Sequence, residues 1–342
     1  MRPRAPVPGM SDELSVSSSV RSIDGPVERT LYWLLLDGNR ISIACGLVLV
    51  VSVVVLAAAH LGFAAIGPES RAATVFASGL LSGTVTLVTI ALSINQFILS
   101  RVFGSPNDLR DRLAGTRELR DRVREHAGEP SVPNDPAEFI ELIAITLRNR
   151  AERLRTALDD SDWDPPPEVD RYAEGIGEYG DGLASKVESR TAIVNVLAVV
   201  LGTEYARNLT TTERLRNTYD DQLPEAARAE LVVIDELLES IAVTRQFFKT
   251  LTLQQDFARL SRVVAYAGLA ALVASLLLAL VYRPNSVTVP IRFLPLVFGV
   301  GVGVVVTPLA VFIAYILRAA TIARRTVSVG PFVPPEERSD DE

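Results

Sequence analysis

Two patterns in this 342-residue chain have spacings that could do chemistry. The first is Gly175-Ile176-Gly177-Glu178-Tyr179-Gly180, which matches G-x-G-x-x-G letter for letter. Glycines at that spacing let backbone approach a pyrophosphate, but only where a buried strand leads into the turn and a helix N-terminus follows. Here a charged, helix-forming segment precedes them, so the reading is close helix packing or a local kink, with no cofactor. The second pattern lies in the apolar run from Ala72 to Leu99. Thr74, Ser78, Ser82, Thr86, Thr89, Ser93, Gln96 and Ser100 follow one another at intervals of 4, 4, 4, 3, 4, 3 and 4. At about 100° per residue they share a face about 120° wide. Thr84 and Asn95 are the only polar residues of the run to fall elsewhere.

A polar stripe along a transmembrane helix has two readings. Small hydroxyl residues let helices approach closely and can bond back to their own carbonyls, which makes the stripe a packing face. Polar residues inside a membrane also face cavities, which makes Ser82, Thr86, Thr89, Ser93 and Gln96 candidates to line a pore. Beside the stripe Gly79 and Gly83 form G-x-x-x-G, as do Gly299 and Gly303 in the last apolar run; these are candidate helix-packing residues. Pro308 is expected to kink that last run, with Thr307 available to satisfy a freed backbone group.

Other reactive types are sparse. One cysteine and two histidines exclude a disulfide framework and leave too little for a metal cluster. Cys45 reads as a small apolar packer, and a lone His60 as a hydrogen-bonded side chain that could titrate. His126 sits beside a helix end and supports no catalytic reading. Asn208-Leu209-Thr210 is a glycosylation sequon by pattern only. There is no Ser-His-Asp arrangement, phosphate loop or assignable carboxylate pair, so the chain is expected not to be an enzyme, with no catalytic, cofactor-binding or metal residues.

The elements that carry these residues follow from hydropathy. The chain is 48% hydrophobic and 22% charged, and its mean hydropathy is +0.26, so its apolar residues are gathered into blocks. Runs of about 20 apolar residues, enough to cross about 30 Å of hydrocarbon, occur four times in two hairpins. They are 41–66 with 72–99, and 263–282 with 293–317. Arg21, Arg29, Arg40, Arg101, Arg245, Lys249, Arg259, Arg262 and Arg318 are among the cations flanking one side, against Arg71, Arg283 and Arg292 on the other. That asymmetry puts both termini and residues 100–262 in the cytoplasm of a multi-pass plasma-membrane protein.

Residues 1–25 read as a disordered tail without a cleaved signal, and 26–40 as an interfacial helix carrying Tyr32 and Trp33. The cytoplasmic block 100–262 reads as helical. Ser105-Pro106-Asn107-Asp108 and Asp135-Pro136-Ala137-Glu138 are helix starts, and Thr191 to Leu201 is an apolar stretch too short to span. A helix from Pro224 has no breaker before the third span. Residues 318–342 form a cytoplasmic tail, disordered at its end.

Charge bounds the partners. With 34 basic and 41 acidic residues the net charge is −7, which argues against nucleic acid. Only Lys186 and Lys249 are lysine. An acid-rich, lysine-poor surface suits strong salt, where the Debye length falls to about 3 Å at 1 M; a high-GC genome also favours arginine codons.

The run Ser93-Ile94-Asn95-Gln96-Phe97-Ile98-Leu99-Ser100-Arg101, then Gly104-Ser105-Pro106, Phe248-Lys249-Thr250-Leu251 and Gln255-Asp256-Phe257-Ala258-Arg259-Leu260-Ser261-Arg262, resembles haloarchaeal multi-pass membrane proteins of unassigned function. The resemblance implies no activity. Two spans, a helical block and two more spans is similar to the topology of bestrophin-type anion channels, whose second span lines an oligomeric pore. No bestrophin motif is present, so none of that family's residues transfers. The expected fold is all-α, with four transmembrane helices and a helical cytoplasmic domain. The expected partners are the lipid bilayer, further copies of the chain and a cytoplasmic protein. The expected role is an oligomeric ion or small-solute pathway lined by the second span, with a constriction near Ser100 to Pro106; the alternative is a non-transporting scaffold or signalling protein.

Overall fold

In the computed structural model every described element is helical; the described residues are 25–63, 66, 70–102, 105–188, 204–283 and 289–324. Residues 1–24 and 325–342 of the expected tails, the Thr191 to Leu201 stretch, and Phe103 and Gly104 of the junction lie outside them, whereas 318–324, read with the C-terminal tail, belong to the last helix. α1 (Pro26–Tyr32) leads into a π-helical turn, Trp33–Asp37. α2 is Arg40–His60, capped by Asn39, whose side chain accepts from the Ile41 N–H at 2.9 Å. α3 (Ala72–Thr74), a π-helical stretch (Val75–Leu80) and α4 (Leu81–Val102) follow without a gap. Then come α5 (Pro106–Ala127), α6 (Pro136–Asp159), α7 (Pro167–Glu188), α8 (Glu204–Tyr219), α9 (Glu225–Val281), a 3₁₀ turn (Ile291–Phe293) and α10 (Leu294–Arg324).

Local chemistry sets several of these ends. Asp135 accepts from the Ala137 and Glu138 N–H groups at 2.8 and 3.3 Å, with Pro136 in the first turn of α6. Gly128 closes α5 at φ +71°, a left-handed cap that glycine adopts without strain. The first apolar run extends to Ile66, but α2 stops at His60 because Gly62, at φ +79°, turns the chain and lets the Phe63 N–H reach the Ala58 carbonyl at 3.0 Å. α9 contains no proline, and its 57 residues form one helix.

The chain divides into two compact units, Asp108–Thr250 and Pro26–Asn107 with Leu251–Ala323. The first unit buries Ile140, Ile143, Leu147, Leu154 and Leu158 of α6, Tyr172, Ile176 and Leu183 of α7, and Leu231, Ile234, Leu238 and Ile241 of α9. On α6 and α9 these recur at helical spacing and form each helix's inward stripe. The Tyr172 hydroxyl meets that of Thr212 at 2.5 Å, which satisfies both inside the core; burial holds the Tyr172 phenol well above the usual tyrosine range.

The second unit holds four helices long and apolar enough to cross a membrane: α2, Ala72–Ile94, the apolar end of α9, and Ile291–Ile322. Even the most enclosed has only 44% of its apolar window buried. Leu49, Val50, Val53 and Val54 of α2 and Leu269, Leu276 and Leu280 of α9 are exposed. Apolar surface on that scale does not suit water. Phe76, Tyr282 and Phe298 form an aromatic cluster with centroids 5.3–6.1 Å apart, and the Tyr282 hydroxyl donates to the Leu294 carbonyl at 2.5 Å.

Candidate functional site

The polar face of α4 points out of the chain. Ser82, Thr86, Thr89, Ser93 and Gln96 are all exposed, as are Gly79 and Gly83, while Thr84, on another face, is buried. Thr86 donates to the Ser82 carbonyl at 3.0 Å, Thr89 to Val85 at 2.9 Å and Ser93 to Thr89 at 2.9 Å. Ser78 does the same to Thr74 at 2.7 Å. Each of these donors is therefore used inside its own helix, and the oxygen lone pairs are left to face outward. The side chains of Asn95 and Ser100 lie outside the described ones.

Below this face lies an open groove of about 380 Å³. Gly79, Ser82, Gly83 and Thr86 form one wall and Val305, Pro308 and Leu309 of α10 the other. A Cβ built on Gly79 or Gly83 would meet nothing within 4 Å. Gly299 and Gly303 have the same spacing and the opposite surroundings. Added Cβ atoms there would come within 2.5 Å of Leu56 Cγ and 2.4 Å of Ser52 Oγ, so these two glycines admit α2 against α10. Gly268 and Gly301 do equivalent work at Val88 and Leu278, where added Cβ atoms would lie 2.3 and 2.5 Å from side-chain atoms. The Thr307 hydroxyl donates to the Gly303 carbonyl at 2.9 Å, one residue before Val304, whose carbonyl is the one Pro308 cannot serve.

The fingerprint glycines sit inside α7, not in a strand-to-helix turn. A Cβ on Gly180 would lie 2.8 Å from the Ala144 carbonyl oxygen and 3.0 Å from the Arg148 nitrogen, so this glycine lets α7 touch the backbone of α6. His60 and Cys45 are exposed, and Asn208 of the sequon is fully buried.

Sequence reading missed a buried charged cluster in the second unit. Arg318 of α10 donates to both Asp256 carboxylate oxygens at 3.1 and 3.3 Å and to the Gly38 carbonyl at 3.1 Å. Arg40 donates to that same carbonyl at 2.9 Å, to Leu34 at 3.0 Å and to Ala314 at 3.4 Å. Arg40, Asp256 and Arg318 are all buried. In sequence the two arginines count only as flanking charges; the available signal was Asp256, an acid in a segment otherwise flanked by cations before the third apolar run. In the other unit His126 Nε2 lies 2.6 Å from Glu236 Oε2, and Arg150 donates to the His126 carbonyl at 2.7 Å.

No group of three or more His, Cys, Asp or Glu residues able to hold a metal occurs among the described residues. The fold and its outward polar face define an all-helical protein with four helices of membrane-crossing length and composition. Residues 11–342 match a family of unknown function, DUF7972, and the chain belongs to that family. No curated protein and no solved structure matches it.

Proposed function

We propose that the chain is a four-pass membrane protein with both termini and residues 100–262 in the cytoplasm, and that copies assemble with their α4 faces around a shared axis to form an ion or small-solute pathway. The orientation rests on the Arg and Lys asymmetry at the span ends. The observation that carries the pathway is the exposure of Ser82, Thr86, Thr89, Ser93 and Gln96 on one side of an otherwise apolar helix. Hydrocarbon gives outward lone pairs no donor, whereas water or a hydrated ion does. Four spans are few for a pore within one chain, so the pathway requires several copies.

A second reading is a non-transporting scaffold whose cytoplasmic helices bind a partner protein. It is favoured by the back-bonding of Thr86, Thr89 and Ser93, which makes a hydroxyl face tolerable against another helix. Single cysteines at Ser82 or Thr89 in a Cys45→Ala background distinguish self-assembly from partner capture. The pathway reading expects oxidative cross-links between copies at these positions in native membranes. No cross-link between copies at either position, together with a different protein that co-purifies in stoichiometric amount, would favour the scaffold.

A further inference from the structure

We propose that His126 and Glu236 form a proton-operated clasp between the C-terminal end of α5 and α9. The inference is independent of whether the chain transports anything. The two side chains meet at 2.6 Å, with the imidazole 14% and the carboxylate 39% exposed, at the edge of an open charged cleft of about 810 Å³. The pair is thus reachable by protons yet partly shielded from solvent.

The charges around it explain why this pair would respond to pH. From α5, Glu118 is 3.6 Å from Arg122, and Asp121 is 3.3 Å from Arg124. From α9, Glu239 is 3.5 Å from Arg122. From α6, Arg150 is 3.2 Å from Glu230. Each of these carboxylates has an arginine, whose charge does not titrate. Glu125 is exposed to solvent. Arg117, Arg122 and Arg124 line the same cleft, but the ionisable group in direct contact with Glu236 is His126, so that contact carries a balancing charge only when the imidazole is protonated. The position adds to this preference. His126 lies in the last turn of α5, where the carbonyl ends of the helix favour a cation.

The consequence has a sign. With the imidazole protonated the pair is an ion pair as well as a hydrogen bond and fastens α5 to α9; with it neutral, the ring N–H can still donate to the carboxylate but the attraction between opposite charges is gone. Arg150 holds the same end of α5 at every pH through the His126 carbonyl. Protonation therefore modulates the attachment instead of creating it, and α9 is the helix that continues as far as Val281.

Hydrogen exchange on the full chain in lipid bilayers, corrected for intrinsic exchange, tests the clasp at about pH 5.5 and about pH 8, the range over which histidine titrates. Amides from Arg120 to Ala127 are expected to exchange about three- to tenfold more slowly at the lower pH, the scale of a charge-assisted pair at a helix end. His126→Gln and Glu236→Gln should each abolish that difference, and His126→Arg should keep exchange slow at both values. Equal exchange in the native chain at the two pH values, or a difference that survives in both His126→Gln and Glu236→Gln, would overturn the proposal.

Discussion

Arg318 grips both carboxylate oxygens of Asp256, at 3.1 and 3.3 Å, where the two side chains are 10% and 6% exposed. The same guanidinium reaches the Gly38 carbonyl, so one side chain ties α9 and α10 to the turn that precedes α2. Removing one partner of such a pair leaves the other buried and uncompensated, which costs far more than the pair contributes against an apolar alternative. Arg318→Ala is therefore expected to lower stability by about 3–5 kcal/mol. Unfolding in mild detergent measures it, and Asp256→Ala combined with Arg318→Ala should cost less than the two losses added together. A single-variant loss under about 1 kcal/mol would mean the pair is solvated, as exposed pairs are.

Gly180 tests the contact between α6 and α7. Backbone cannot yield to a Cβ placed 2.8 Å from the Ala144 oxygen, so Gly180→Ala should force the helices apart despite alanine's better helix propensity. The expected loss is about 1–3 kcal/mol, read from denaturant unfolding. A gain in stability would show that α7 does not approach α6 this closely.

Gly83 and Gly303 make a matched contrast. Gly303→Leu should destabilise the single chain, because Ser52 and Val48 already fill the space beside it. A Cβ on Gly83 meets nothing within 4 Å and the groove beside it is open, so Gly83→Leu should change the chain's unfolding by no more than about 0.5 kcal/mol. It should instead shift the oligomer distribution seen by native mass spectrometry, since it fills the groove beside the polar face. A loss of chain stability from Gly83→Leu, with assembly unchanged, would count against an interface on that face.

Asp235, on α9 well before the apolar stretch that begins at Val263, supplies a pH dependence. Burial raises its carboxyl above the usual carboxylate range, against the opposing pull of the paired Arg216 and with help from Glu239 and Glu213. A raised folded-state value means the native state holds the proton more tightly than the unfolded chain, so this group's contribution is favourable in acid and is lost as pH rises through the folded value. Relative to the native chain, Asp235→Asn should therefore gain stability as pH rises from just below the ordinary aspartate value to above it. Parallel stability curves for the two proteins over that window would contradict the shift.

What the sequence made legible is what local pattern controls. The four apolar runs, the Asp135-Pro136 helix start with its two capping bonds, and the unbroken helix after Pro224 depend on residues a few positions apart. The contacts of Arg40, Asp256 and Arg318 depend on side chains up to 280 positions apart, and the His126–Glu236 pair joins residues 110 apart. No periodicity within one helix encodes those meetings. The glycine pairs make the same point. Gly79 with Gly83 and Gly299 with Gly303 are identical as patterns, yet only the second pair has another helix of the chain against it. Gly268 and Gly301, which have no pattern to mark them, also sit at close helix contacts.

The central claim is that the polar face of α4 lines a pathway. Ion and small-solute flux into proteoliposomes in molar salt measures it most directly, with protein-free vesicles as the baseline and Thr89→Arg as the probe. The account predicts flux through the native protein that Thr89→Arg alters while the oligomer stays assembled, because the new guanidinium would stand on the exposed polar face that carries Thr89. No flux from protein shown to be folded and oligomeric, or flux indifferent to the substitution, would contradict it and leave the stripe as a packing face.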